Sequence, residues 1–155
     1  MLTAIALPYH ALPVSLIERH RLDGLAHDRG GEKELQFHVA AAVPLLPVWH
    51  EGQLRIVRWG CRRGEGRALP VGGWTKLATV ESGYWSGCGA AAVDVPAALG
   101  LDGGVWYAIR QGMRGVLVQD EGEVERVYVV CEPASHYYGV MTRSDWMPVL
   151  IGERI

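Results

Sequence analysis

The chain has 155 residues, 49% of them hydrophobic and 21% charged, with a formal net charge of −2 and a pI near 6.3. That size and balance describe one globular domain, residues 1–155, able to bury a core, and they exclude an intrinsically disordered chain. A net acidic chain does not attract nucleic acid by global charge, so any such binding must come from a local patch.

The longest apolar stretch, residues 39–48, falls short of the roughly 18 residues of a membrane span and contains Pro44 and Pro47. No membrane partner is expected. Residues 1–12 carry no basic segment of a secretion signal, which points to a cytoplasmic protein. The three cysteines, Cys61, Cys88 and Cys131, show no Cys-x-x-Cys spacing and read as free thiols. No cofactor motif and no metal-ligand spacing is present, and the sequence leaves the oligomeric state open.

In chain order, the first helix signal spans residues 15–28, where Ser15 and Glu18 form a capping box and Gly30-Gly31 supplies the stop. Strand signals follow at residues 35–41, 45–50 and 54–59, the last two flanking a Glu51-Gly52 hairpin turn. Residues 74–80 read as another strand and residues 96–101 as a short helical turn. Strands at 105–110, 115–119 and 124–131 complete the pattern, the last two joined by a hairpin loop at 119–123. The loop after Pro133 ends in a Met147-Pro148-Val149 turn. Short strands with glycine-rich turns and one or two short helices predict an α+β, mainly β fold with a barrel-like sheet.

Several fragments resemble, in order, the SOS-response-associated peptidase (SRAP) family, which shields abasic sites in single-stranded DNA. They are Phe37-His38-Val39-Ala40, Arg58-Trp59-Gly60, Ala78-Thr79-Val80-Glu81, Val95-Pro96-Ala97, the strand ending at Cys131-Glu132-Pro133-Ala134, and Met147-Pro148-Val149. The resemblance implies the fold of that family and a role in the DNA damage response. It also implies where the family's reactive residues fall. Its catalytic glutamate corresponds to Asp102, its histidine to Ser144 and its asparagine to Leu77. Its N-terminal cysteine corresponds to Leu2, which has no nucleophilic side chain. Residues 60–78 are short against the family's segment, and the chain stops soon after Val149. The resemblance therefore implies a shortened, divergent relative that lacks the thiol needed to trap an aldehyde as a thiazolidine.

Six tryptophans stand against one phenylalanine. Indoles stack on unpaired bases, or they fill a small β core; Trp59 and Trp85 adjoin polar glycine-rich loops and are the expected surface pair. The densest basic patch is Arg58 with Arg62, Arg63 and Arg67, and with Trp59 it forms the expected nucleic-acid-binding set. Asp102, Ser144 and His136 are the candidate catalytic residues, holding the types that a base-activated nucleophile requires. No Gly-x-Ser-x-Gly elbow accompanies them. Cys131 with His136 is a further pair of the right types, though Cys131 ends a strand that reads as buried.

The expected function is non-covalent binding of single-stranded or damaged DNA by a catalytically silent relative. The alternatives are a protein-interaction or homo-oligomeric domain with no nucleic-acid role, and an enzyme with a remodelled pocket using Asp102 with His136 or Ser144.

Overall fold

A computed structural model describes residues 1–65 and 68–155. Two sheets organise the chain. The first has five antiparallel strands: β1 (Ala4–Pro8), β2 (Ala26–Arg29), β3 (Glu32–His38), β8 (Leu99–Asp102) and β9 (Val105–Ala108), in the order β2-β3-β1-β8-β9. The second is built from β4 (Leu45–His50), β5 (Gln53–Trp59), β7 (Ala91–Val95), β10 (Met113–Gln119) and β11 (Glu125–Pro133). Its ladders run β10-β7-β4-β5-β11, and β10 also pairs with β11, so these five strands close into a barrel. Closure leaves them no free edge.

Strand β11 is the spine of that barrel. Along its length it pairs with β5, with β10, with β6 (Trp74–Lys76) and with β12 (Trp146–Pro148). Its sequence explains this role, because its apolar residues run continuously rather than alternating. Val127 and Val129 pack into one core cluster, whereas Tyr128 and Val130 pack into a second with Val116 and Val118. The mainly β architecture anticipated from the strand pattern is present.

The hairpins are set by turn chemistry. Glu51 and Gly52 both take positive φ, 51° and 74°, which two-residue turns matching strand twist require. Gly103 and Gly104, at φ 57° and 77°, do the same between β8 and β9.

Four sequence expectations are corrected. Residues 15–28 form no single helix: α1 (Val14–Arg19) lasts six residues, Pro13 is its N-cap, and no side chain caps it. A 3-10 turn at Leu22–Leu25 follows, and Ala26–Arg29 joins β3 through Gly30-Gly31. Those two glycines, both at positive φ, make a hairpin rather than a helix stop. Residues 96–101 hold the start of strand β8, whose pairing with β1 and β9 outweighs local preference.

The strand expected at 74–80 ends at Lys76 and becomes α2 (Leu77–Glu81). The loop expected after Pro133 contains α3 (His136–Thr142), and Met147-Pro148 lies in strand β12. Ser135 caps α3 by accepting a hydrogen bond from the Tyr138 amide at 3.1 Å. Among the described residues, no helix is long and apolar enough to cross a membrane.

Candidate functional site

The candidate site lies where the start of the chain, the β8–β9 turn and the end of α3 meet. The Thr3 amide donates to the Leu101 carbonyl at 2.8 Å, and Ala4 pairs with Leu101. This register brings Met1 beside Asp102, the last residue of β8. Leu2, fully buried, anchors the segment in the core. Small residues make that close approach possible: a Cβ on Gly100 would meet the Leu2 side chain at 2.9 Å and the Tyr107 ring at 2.8 Å.

Asp102 has no solvent exposure, and its two oxygens are shared among three donors. The Met1 ammonium donates to Oδ1 at 3.0 Å and to the Ser144 hydroxyl oxygen at 2.8 Å. Ser144 in turn donates to Oδ1. On the other side, the Tyr138 hydroxyl donates to Oδ2 at 2.6 Å. A buried carboxylate needs partners of this kind, because unpaired it would cost several kcal/mol, order ~3–5, in desolvation.

The Tyr107 and Tyr138 hydroxyls lie 3.1 Å apart. Tyr138 spends its one proton on Asp102, so Tyr107 is the donor between them. Burial, first, and then the neighbouring Tyr107 and the Asp102 carboxylate push the Tyr138 phenol above the ordinary tyrosine range. Burial likewise raises Tyr107. Both phenols therefore stay protonated and act as fixed donors. The result is a line of groups: Tyr107, Tyr138, Asp102, then Ser144 with the Met1 amine.

Two backbone features hold the line together. Gly103 presses on the end of α3, where a Cβ would sit 2.0 Å from the Thr142 carbonyl oxygen. Thr142 also accepts the Ser144 amide on Oγ1 at 3.2 Å and donates to the Tyr138 carbonyl at 2.8 Å. Between them Arg143 closes the helix in the left-handed region at φ 61°. Glycine usually fills such a cap, and a side chain there costs about 1–2 kcal/mol.

A cavity of about 450 Å³ opens beside Ser144, with Ser135, His136, Val140, Arg143 and Asp145 on its walls. The structure thus brings Asp102 and Ser144 into direct contact. It puts exposed His136 on the same cavity as Ser144 without a hydrogen bond to either residue. Cys131 does not join them. Its thiol is buried, points to the Thr75 carbonyl at 3.5 Å, and is raised in pKa by that burial. Leu77, matched to the family's asparagine, begins α2 and packs on the second core cluster instead.

The expected nucleic-acid set is redistributed. Trp59 is a correction: it is 2% exposed, and its indole N–H donates to the Gly73 carbonyl at 3.0 Å. Trp85 is also buried, with its N–H on Thr75 Oγ1 at 3.0 Å. Both rings fill core, so neither offers a face to a base. Arg58 is half-buried on β5, and Arg63 is exposed. Arg62 is exposed too, and its guanidinium donates to the carbonyls of Ala41 and Ala42. Arg67 lies outside the described residues.

The sequence reading missed the Met1 amine, Tyr107, Tyr138 and Arg143. A backbone amine carries no residue-type signal, and buried tyrosines declare a polar role only once their neighbours are known. Ser135 three residues before Tyr138 was the one local cue, marking a helix start. Among the described residues, no group of three or more His, Cys, Asp or Glu side chains gathers as a metal site. Comparison of the chain with protein-family models, curated proteins and solved structures finds no match.

Proposed function

We propose that the chain is a divergent SRAP-like protein that binds single-stranded or damaged DNA without forming a thiazolidine. The observation that carries this reading is the meeting of Asp102 and Ser144 at the Met1 amine. These two positions, 42 residues apart, were matched to the family's glutamate and histidine through flanking fragments alone. Their contact beside an N-terminal amine supports that matching. The thiol chemistry is missing, since Leu2 is a buried aliphatic side chain. Ligand access is supported by the cavity beside Ser144, which carries the exposed cation Arg143.

Fluorescence anisotropy with single-stranded oligonucleotides, with and without an abasic site, tests the reading at two salt concentrations. Salt-sensitive binding with no shift on a denaturing gel is the expected result. Absence of binding at either salt would remove it.

The 3.0 Å contact between the Met1 amine and Asp102 favours a second reading, reversible capture of the abasic aldehyde. An unprotonated amine adds to the aldehyde carbon, forming a C–N bond. Its two N–H protons pass in turn through Asp102 to the carbonyl oxygen, the first giving a carbinolamine and the second letting that oxygen leave as water, so that an imine remains. Borohydride supplies the hydride that reduces this imine to a stable secondary amine. A gel shift that appears only after borohydride, with an intact-mass gain located on Met1, would establish capture. The same gel without a shift confines the protein to non-covalent binding.

A further inference from the structure

We infer that the cavity beside Ser144 is a phosphate site in which Arg143 is the anion contact, and that it sets where a strand lies against Asp102 and the Met1 amine. This inference rests on the DNA-binding reading and names the part of the strand that the site holds. Three observations converge on it.

The first is the position of Arg143. It stands in a left-handed helix cap where glycine is the low-energy choice, which turns an arginine onto the rim of a cavity rather than along a helix face. The second is its lack of a partner. Among the described residues Arg143 has no carboxylate within ion-pair distance, although Asp145 lies on the same rim.

Four of the other arginines are already engaged. Arg126 is held by Asp120 and Glu65, Arg29 by Glu34, and Arg55 by Glu125. The Arg62 guanidinium, in the loop that the sequence favoured, is taken up by carbonyls.

The third observation is what surrounds the cavity. His136, Ser135 and Arg143 line it, so imidazole, hydroxyl and guanidinium groups able to donate converge on one volume, while the Ser144 hydroxyl is already committed to Asp102. At about 450 Å³ the volume accepts a phosphate with part of its sugar. The negative charge of Asp102 is already answered by the Met1 ammonium, which leaves Asp145 as the opposing charge at the rim. A guanidinium suits a phosphodiester because its planar donors match paired phosphate oxygens.

The test uses Arg143→Gly, which removes the cation while giving the cap the residue its backbone prefers, so folding is preserved. Arg143→Lys restores a charge, and Asp145→Asn removes the opposing one. Two probes separate the sources of phosphate: a single-stranded oligonucleotide followed by anisotropy across a salt series, and sodium phosphate followed by amide NMR shifts.

The full chain is expected to bind the oligonucleotide, and Arg143→Gly to weaken it about fivefold or more. The log–log salt slope should fall by about 0.7 for the lost phosphate contact. Arg143→Lys should recover most of the binding, and Asp145→Asn should tighten it. Equal affinity and slope for Arg143→Gly would overturn the phosphate site while leaving DNA binding intact. Phosphate-induced shifts at Ser144 and Asp145 that vanish in Arg143→Gly, with no oligonucleotide binding, would sustain an anion site for free phosphate and sink the DNA reading. Neither response would sink both.

Discussion

The buried carboxylate of Asp102 accepts the Tyr138 hydroxyl at 2.6 Å on one oxygen, while its other oxygen faces the Met1 ammonium at 3.0 Å. The phenol thus fixes the rotation of the carboxylate and aims the remaining oxygen at the amine and at Ser144. This bond, with the Gly103 contact on Thr142, couples the strand end that carries Asp102 to the helix that carries Tyr138.

Replacing Tyr138 with Phe deletes that donor and leaves Asp102 Oδ2 unsatisfied in the interior. Chemical denaturation should show a loss of about 1–3 kcal/mol at neutral pH. The pH dependence carries a sign. Burial, with the adjacent Tyr107 and Asp102, raises the folded-state pKa of Tyr138 above the ordinary tyrosine value of about 10. The proton is therefore bound more tightly in the folded state. The stability this represents is fully present below pH 10 and is lost as the pH rises above it. The native protein should lose stability in that alkaline range more steeply than Tyr138→Phe. Parallel alkaline curves would contradict the assignment.

Gly103 and Gly104 share a turn and a positive φ, yet only Gly103 presses on the site. A Cβ at Gly104 meets nothing within 4 Å, so Gly104→Ala should cost only the backbone strain of about 1–2 kcal/mol. Gly103→Ala adds a clash with the Thr142 carbonyl at 2.0 Å and should cost clearly more. It should also disturb the amide resonances of Tyr138 and Ser144, because the end of α3 must shift. Equal costs for the two variants would mean that this packing does not hold the site.

Trp59 and Trp49 separate core from surface. Trp59 is buried with its indole N–H satisfied, so Trp59→Ala should cost about 3–5 kcal/mol in a melt or denaturant titration. Trp49 is 46% exposed, and Trp49→Ala should cost about 1 kcal/mol or less. DNA affinity lost in Trp49→Ala with stability intact would make that ring, rather than Trp59, a stacking surface.

The pairing of Arg29 with Glu34 predicts an acid limb. The two hydrogen bonds from Arg29, at 2.7 and 3.0 Å, are the main cause that holds the Glu34 carboxyl below its ordinary range; burial opposes them and Gln36 adds to them. A depressed folded pKa gives stability that is present above the unfolded glutamate pKa and is lost as the pH falls through the folded value. Arg29→Gln should therefore be less stable than the native chain at neutral pH. The gap should narrow as the pH drops below about 4.3. A gap independent of pH would show that Arg29 stabilises by packing, including its contact with the Trp106 ring at 4.7 Å.

Much of the β architecture was legible because its signals are local. Glu51-Gly52 between apolar runs gave one hairpin, and the acidic, glycine-containing segment before β11 gave another. Strand β8 was not legible. Its Leu-Gly-Leu-Asp sequence, following a proline, has no alternation, and its conformation is decided by β1 and β9 on either side. The same holds for β1, whose small apolar residues are buried on both faces and show no period. Asp102 and Ser144 were reached only by resemblance. Their surroundings come from Met1, Tyr107 and Tyr138, distant segments whose polar groups gain meaning from contact. Trp59 and Trp85 were misjudged for the opposite reason: polar loops adjoin them in sequence, while their rings turn inward in space.

The most direct measurement is an amide NMR titration of the full chain with a single-stranded oligonucleotide carrying an abasic site. Shifts concentrated on Ser135, His136, Gly103, Ser144 and Asp145, around the Asp102 carboxylate and its cavity, are the expected result. Shifts confined to the Arg62-Arg63 loop, or no shifts at low salt, would contradict it.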